Sequence, residues 1–344
     1  MNGTRHDRYS RQKLFPPIGA AGQNRLSESS VLIIGAGALG TGIAETLARA
    51  GVGRLILADR DYVEWSNLQR QQLYNEADAA ERLPKAVAAE RHLRALNSEI
   101  ILESYVMDVT HEEMDELSRG VDLIMDATDN FDTRLVINDI SQKREIPWIY
   151  GGCVGSYGMT LTILPGETPC LNCLLGVVPL GGDTCDTAGV IPPAVQMIVA
   201  HQTTEALKLL TGNKDALRGT LLTFDLWRNE QTEVKVGAAR RADCLSCGEQ
   251  RTFPYLTAAH SRKTEVLCGR DTVQIRPAVK SKLSLPEMAA KLKKLPDGKV
   301  ETNPFLLSFS MDHLRLVLFE DGRALVHGTK DISEAKAIYD RYLG

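Results

Sequence analysis

An apolar run, Val31-Leu32-Ile33-Ile34, ends directly on Gly35-Ala36-Gly37-Ala38-Leu39-Gly40, and an alanine-rich helical segment follows to about Gly51. A second apolar run, Leu55-Ile56-Leu57, ends at Asp59. Few folds accept this succession. A strand that breaks into three glycines at this spacing and restarts as a helix opens a βαβ unit. Its glycines let the backbone approach phosphates, and its helix N-terminus favours their charge. Asp59, closing the next strand, is placed to accept ribose hydroxyls. A tight strand-to-helix packing turn would use the same glycines, and the motif alone does not separate NAD from ATP.

The alternation continues. Strands are expected at 31–34, 54–58, 100–106, 121–126 and 147–150, with helices at 38–50, 84–96, 111–119 and 131–143 between them. Strands separated by amphipathic helices imply right-handed crossovers and a Rossmann-like, doubly wound, mostly parallel α/β sheet. Ligands on such sheets bind at the carboxyl ends of the strands, where Asp59, Asp126 and Asp129 fall. After Gly151-Gly152 the alternation from Met159 to Ile163 predicts an antiparallel extension. A long helix over 193–210 follows, with proline in its first turn and Gly212 past its end. Strands are expected near 219–225 and 231–236. Beyond Phe253 the chain reads as a small α+β unit, with strands near 272–276, 305–309, 314–319 and 324–327, helices at 285–295 and 332–343, and an Asp321-Gly322 hairpin turn. The expected division is thus 1–253 and 254–344.

Net charge is −4, so a general nucleic-acid binder, which needs basic excess, is not expected. With no N-terminal apolar segment and only strand-length apolar runs, neither a secretory signal nor a membrane span is expected, and the reading is cytoplasmic. Seven cysteines occur, four of them as Cys170-x-x-Cys173 and Cys244-x-x-Cys247. Four thiolates in two chelating pairs suit tetrahedral Zn²⁺ with no open position, hence a structural site. A redox Cys-x-x-Cys is the alternative. Cys185 stands alone in the glycine-rich loop 181–189 and reads equally well as reactive or incidental. Cys153 and Cys268 read as buried small hydrophobes.

Downstream of Asp59 come Asn67, Arg70 and Lys85. A dinucleotide oxidoreductase needs no such cationic cluster. A triphosphate does, because charge on its α- and β-phosphates rises during displacement. Asp126-Ala127-Thr128-Asp129-Asn130 ends another strand. A carboxylate there suits Mg²⁺ on the phosphates. Asp129 is the favoured ligand, and Asp126 is the alternative or a cap for the next helix.

These pieces together resemble the MoeB/ThiF family, the ubiquitin-activating-enzyme-like adenylyltransferases of sulfur-carrier proteins. The matching residues are Arg8-Tyr9-Ser10-Arg11-Gln12, the glycine turn, Asp59-x-Asp61, Ser66-Asn67-Leu68-Gln69-Arg70-Gln71, Pro84-Lys85, Asp126 to Asn130, both cysteine pairs, and Thr184-Cys185 before Ala188-Gly189-Val190. The match spans about residues 5–250, in family order. It implies a homodimer that adenylates the C-terminal glycine of a small ubiquitin-like carrier, ThiS or MoaD, with a cysteine desulfurase or another sulfur donor as further partner. By the same resemblance ATP lies against Gly35, Gly37, Ala38 and Gly40, with Asp59, Asp61 and Asn130 also at the nucleotide. Asn67, Arg70 and Lys85 hold phosphates, and Asp129 holds Mg²⁺. Arg11 reaches the ATP of the partner subunit, and Cys185 joins sulfur transfer in ThiF-like members but is not needed for adenylation in MoeB-like ones. Departures are Ala38 where relatives often carry glycine, two extra residues before Lys85, and the tail. Some relatives carry a rhodanese domain there, but Cys268-Gly269-Arg270-Asp271 lacks its persulfide-loop spacing. An NAD-linked oxidoreductase and a non-catalytic carrier-binding scaffold are the alternatives.

Overall fold

The computed structural model describes residues 7–175, 188–257, 264–266, 271–277, 282–295, 298–311 and 313–343. Contacts divide the chain into two compact units, Met1–His260 and Ser261–Gly344. Cys185, Cys268 and the loop over 176–187 lie outside the described residues.

The first unit begins with α1 (Ser10–Lys13) and α2 (Gly19–Glu28). The strand–helix alternation follows as β1 (Ser30–Ile34), α3 (Ala38–Ala50), β2 (Arg54–Asp59), α4 (Glu76–Ala80), α5 (Lys85–Leu96), β3 (Ile101–Val106), α6 (His111–Leu117), β4 (Leu123–Asp126), α7 (Phe131–Arg144) and β5 (Trp148–Val154). Then come β6 (Tyr157–Ile163), α8 (Leu171–Leu174), α9 (Pro192–Leu210), β7 (Leu221–Asp225) and β8 (Glu230–Val234). One eight-stranded sheet results, in the order β3-β2-β1-β4-β5-β6-β7-β8. From β3 to β5 the pairing is parallel, and from β5 to β8 it is antiparallel. The fold is therefore the doubly wound, mostly parallel sheet with an antiparallel extension. Val31, Leu32 and Ile33 are fully buried, which is why β1 reads as an unbroken apolar run rather than an alternating one.

β5 runs past the expected end at residue 150, through the glycines that look like a stop. It does so because β6 pairs with it along its whole length, from Trp148↔Ile163 to Val154↔Tyr157. Gly151 is needed inside this strand: a Cβ there would lie 2.4 Å from the side-chain carbon of Gln202, which crosses from α9 to bond the carbonyls of Asp126 and Ile149. Cys153, on the same strand, is half-buried rather than a core residue.

The second unit holds β9 (Thr264–Val266), β10 (Thr272–Ile275), α10 (Leu285–Leu292), β11 (Lys299–Thr302), β12 (Leu306–Met311), β13 (Leu314–Phe319), β14 (Ala324–His327) and α11 (Ile332–Leu343). Its antiparallel sheet has the order β11-β12-β13-β14-β10-β9. Leu285, Ala289 and Leu292 of α10 and Ala335 and Ile338 of α11 close one core with Val273, Leu307, Phe309, Leu316 and Val326. β11 has no strand signature in the sequence. It is an edge strand that packs only Val300 against this core. Among the described residues no helix is long and apolar enough to cross a membrane.

Candidate adenylation site and four-cysteine cluster

The glycine turn lies where β1 ends between β2 and β4, with Ile34 paired to Ala58 on one side and Asp126 on the other. Its three glycines do different work. Gly35 has φ +96°, and a Cβ there would strike the Ala127 carbonyl oxygen at 2.5 Å. At Gly40 a Cβ would meet the Gly35 carbonyl oxygen at 1.9 Å. These two shape the turn and seat α3 against it. Gly37 is different: outside its own helix, a Cβ there would meet nothing nearer than Gln71 Nε2 at 3.9 Å. Its missing side chain leaves space at the N-terminus of α3, where backbone N–H groups and the helix dipole favour an anion. Ala38 begins the helix, so its methyl group costs the turn nothing.

Asp59 ties this turn to the next loop. One carboxylate oxygen accepts the Ala36 N–H at 2.6 Å and the other the Asp61 N–H at 2.7 Å. Each oxygen keeps a second lone pair. Burial raises the Asp59 carboxyl above its ordinary value; Lys85 pulls it back and Asp61 pushes it further up. Lys85 is buried at the start of α5, its ammonium 3.2 Å from Asp61. A bridge between Tyr62 and Pro84 and the Lys85 N–H on the Asp61 carbonyl bring α5 to this loop. The N-termini of α3 and α5 and their cation therefore converge at the carboxyl end of β1 and β2.

Asn67 ends a 3₁₀ turn, Trp65–Asn67, and is completely buried. Its side-chain oxygen accepts the Glu64 N–H at 3.0 Å, while its amide nitrogen has no partner. A buried donor left unsatisfied costs about 1–3 kcal/mol and marks a place for an acceptor. Arg70 is half-buried, with one guanidinium nitrogen 2.9 Å from the Ser66 carbonyl. An unpartnered amide, an uncrowded Gly37 and two cations fit a polyphosphate better than an uncharged ligand.

On the other side of β1, Asp126 is buried and saturated. It accepts Thr128 N–H at 2.9 Å, Thr128 O–H at 2.7 Å and Arg134 Nε at 2.9 Å. That leaves it no role as a free metal ligand, and the cap of α7 is Asn130, whose oxygen accepts the Thr133 N–H at 3.1 Å. Asp129, three residues on, is exposed in the turn that abuts Gly35.

Two residues the motif reading passed over hold the site together. Arg134 bonds Asp126, the Thr128 carbonyl and the Gly151 carbonyl, with its guanidinium 5.0 Å from the Tyr150 ring centroid. Burial opposes its charge, but Asp126 and Tyr150 hold its ionisation above the ordinary value. The hydroxyl of buried Tyr74 lies 2.7 Å from the Ala36 carbonyl and 3.0 Å from the Lys85 carbonyl, joining the glycine turn to α5. Burial first, then Asp59, raises its phenol well above the ordinary value, so it remains a donor. Arg134 carries a faint signal, standing on the first turn of the helix that follows the Asp126 strand. Tyr74 carries none, because its partners are carbonyls brought together only by the fold.

The four cysteines of the two pairs are all buried and form one group. Cys170 Sγ is 3.9 Å from Cys173 and 3.7 Å from Cys244, and Cys173 is 3.4 Å from Cys247. A tetrahedron with Zn–S near 2.3 Å has sulfur–sulfur edges of about 3.8 Å. The donors fit Zn²⁺ and leave no open position. Asn172 supports the group by donating to Ser246 at 3.2 Å and toward Cys244 at 3.8 Å. The Leu171 N–H bonds Asn138 of α7 at 2.8 Å, which anchors the first pair to the main body. Arg11, in contrast, is exposed on α1.

The ThiF family model matches residues 9–246. A sulfur carrier protein ThiS adenylyltransferase of Bacillus subtilis is 53% identical over 337 residues, covering 98% of this chain and 99% of that protein. A sulfur carrier protein adenylyltransferase of Thermus thermophilus is 38% identical over 270 residues, covering 76% of this chain and 96% of that one. Among solved structures, E. coli MccB with ATP matches with a TM-score of 0.62 at 22% identity over 72% of this chain and 75% of that one, a likeness of fold.

Proposed function

Because this chain belongs to the ThiF family, we propose that it adenylates the C-terminal glycine of a small ubiquitin-like sulfur carrier, using ATP. The carrier carboxylate attacks the α-phosphorus, the bond to the bridging oxygen breaks, and pyrophosphate leaves. The carrier acyl-adenylate that remains is primed for sulfur transfer in thiamine or molybdopterin biosynthesis. The 53% identity to a ThiS adenylyltransferase favours ThiS over MoaD as the carrier. The observation that carries the chemistry is the buried, unpartnered Asn67 amide, in the same turn as Arg70, together with the uncrowded Gly37.

In this reading Asp59 orients the ribose through its remaining lone pairs. Gly37 and the N-terminus of α3 receive phosphate oxygens, and Asn67 donates to another. Arg70 and Lys85 take up the charge that accumulates on the departing pyrophosphate, the preorganised stabilisation that such transfers need. Asp129 is the residue that would hold Mg²⁺, which neutralises phosphate charge when bound. The buried thiols would hold Zn²⁺ as a structural ion. A pair of sites in a homodimer, each completed by Arg11 of the other copy, suits an arm whose arginine is exposed. Thiolate zinc ligation also suits the reducing cytoplasm. Cys185, outside the described residues, would join transfer of sulfur from a desulfurase-type donor to the activated carrier. The cationic cluster weighs against both an NAD-linked oxidoreductase and a non-catalytic scaffold.

Carrier-dependent exchange between ATP and pyrophosphate tests the reading. With purified ThiS the exchange should be robust, and with MoaD much weaker. No exchange with either carrier would sink it. Replacing Cys185 by Ser should leave exchange intact and lower only the thiocarboxylate yield.

A further inference from the structure

We propose that Tyr9 and Gln12 are positioning residues: they clasp the N-terminal arm onto the far ends of α3 and α5 and thereby fix Arg11 for a second copy of this chain. The inference rests on the reading that Arg11 acts in trans.

The last carbonyls of a helix have no partner within it. Here those of α3 and α5 are taken by the arm and by two buried amides. Gln12 Nε2 donates to the Ala50 carbonyl at 2.9 Å and to Gln23 Oε1 at 2.7 Å, while Gln23 Nε2 reaches the same carbonyl at 3.0 Å. Arg8 donates to the Leu96 carbonyl at 2.8 Å. Asn97, fully buried, donates to the Ala48 carbonyl at 2.8 Å and to the Tyr9 hydroxyl at 2.9 Å. The Tyr9 ring lies directly on Gly51, where a Cβ would come within 2.5 Å of it. Residues three apart on a helical turn share a face and those two apart do not. With Tyr9 and Gln12 turned inward, Arg11 is turned out and exposed, and among the described residues its side chain makes no hydrogen bond or ion pair. An exposed arginine between two anchored neighbours has lost backbone freedom without gaining an intramolecular contact, which is what preorganisation for a partner requires.

The clasp is also at the wrong end for use within its own chain. The phosphate-facing residues Gly37 and Lys85 stand at the N-termini of α3 and α5, and the arm docks at their C-termini. At 1.5 Å per residue, α3 separates the two by about 20 Å, more than an arginine side chain spans.

Mixed dimers of the full-length chain test this by ATP–pyrophosphate exchange with the carrier. A Tyr9→Ala/Gln12→Ala protomer has an intact site and a loosened arm, and an Arg70→Ala protomer has the reverse. The first alone should lose about tenfold or more in kcat, the second should be inactive, and the mixed dimer should recover close to half of wild-type turnover. Gln12→Ala alone, in which Gln23 still caps Ala50, should fold normally and lose roughly threefold; this keeps the question open to test if the double variant does not fold. Tyr9→Phe should largely restore activity relative to Tyr9→Ala, since it keeps the ring on Gly51. Full activity of the double or the Gln12→Ala variant alone would overturn the clasp. So would failure of its mixed dimer to recover while an Arg11→Ala/Arg70→Ala mixed dimer does. If that second pair also fails, the trans reading falls and the clasp with it.

Discussion

The four-cysteine cluster and the region around the Gly37 turn are both assembled from segments far apart in sequence, and their polar atoms are in opposite states. Around the cysteines the polar groups already have neighbours: four sulfurs face one another, Asn172 donates to the Ser246 hydroxyl, and Asn138 accepts the Leu171 N–H. Around Gly37 the fold leaves groups in reserve. The Asn67 amide has no acceptor, the space over Gly37 is uncrowded, and Asp59 retains lone pairs. A self-satisfied group of ligands serves stability, and a group held open at a cost serves a ligand that comes and goes. Asp126 and Asp129, three residues apart, repeat the contrast on a smaller scale: the first is saturated by Arg134 and Thr128, the second is exposed.

If that division is right, changes in the closed region act on stability and changes in the open one act on turnover. The largest effect belongs to the metal. Stripping Zn²⁺ with a chelator, or replacing Cys170 by Ser, should lower unfolding free energy by more than about 5 kcal/mol. Metal analysis paired with a thermal melt reads this out, and an unchanged melting temperature would show the cluster is not a closed metal site. Next comes Asp126→Ala, which strands buried Arg134 without its counter-charge and should cost about 3–5 kcal/mol. Denaturant titration measures it, and a loss of turnover without loss of stability would move Asp126 into the open region. Third, Arg70→Ala or Asp129→Ala should reduce exchange about a hundredfold or more, with the melting temperature within a few degrees of wild type. Wild-type rates in both would refute the assignment of the site. Asn67→Asp keeps the acceptor for Glu64 but turns the idle donor into a second acceptor. It should weaken ATP about tenfold, by roughly 1.4 kcal/mol, while an adenosine probe binds as before.

The smallest effect is a pH dependence. Asp59 has a raised native value, so it favours the folded protein at acid pH, and that contribution is lost as pH rises through its folded value. Glu103, lowered mainly by its hydrogen bond to Arg54, does the reverse: its contribution is present above the ordinary carboxylate range and lost as pH falls through its folded value. Of these two carboxyls, Asp59 is the one at the proposed nucleotide site, and protonated it would not serve two backbone amides and a ribose equally. The Michaelis constant for ATP should therefore rise on acidification before most carboxylates titrate. An Asp59→Asn variant should flatten that profile, and an unflattened one would assign the dependence elsewhere.

The βαβ succession was legible because its period is written in apolar runs and its stops in Gly35, Gly51 and Asp59. The four cysteines were legible as pairs, and their spacing left zinc and redox chemistry both open; the fold brings the four sulfurs close enough to share one ion, which fits zinc. What stayed hidden depends on contacts across the sheet. Tyr74 works through two carbonyls, which carry no residue identity. β5 continues through two glycines because β6 and Gln202 occupy the space beside them. β11 is an edge strand of mostly polar residues, and its pairing with β12 is invisible in a local pattern.

The distance in sequence between the cysteine pairs has a consequence for how the chain is made. Cys170 and Cys244 are 74 residues apart and lie 3.7 Å from each other in the folded unit. Closing a loop of that length costs about 4 kcal/mol of chain entropy, so two thiols alone hold it poorly and four on one ion hold it well. During synthesis the emerging chain carries half a chelator until residue 247 has cleared the ribosome. If the four thiols hold a metal ion, that ion can close the loop only after both pairs have emerged.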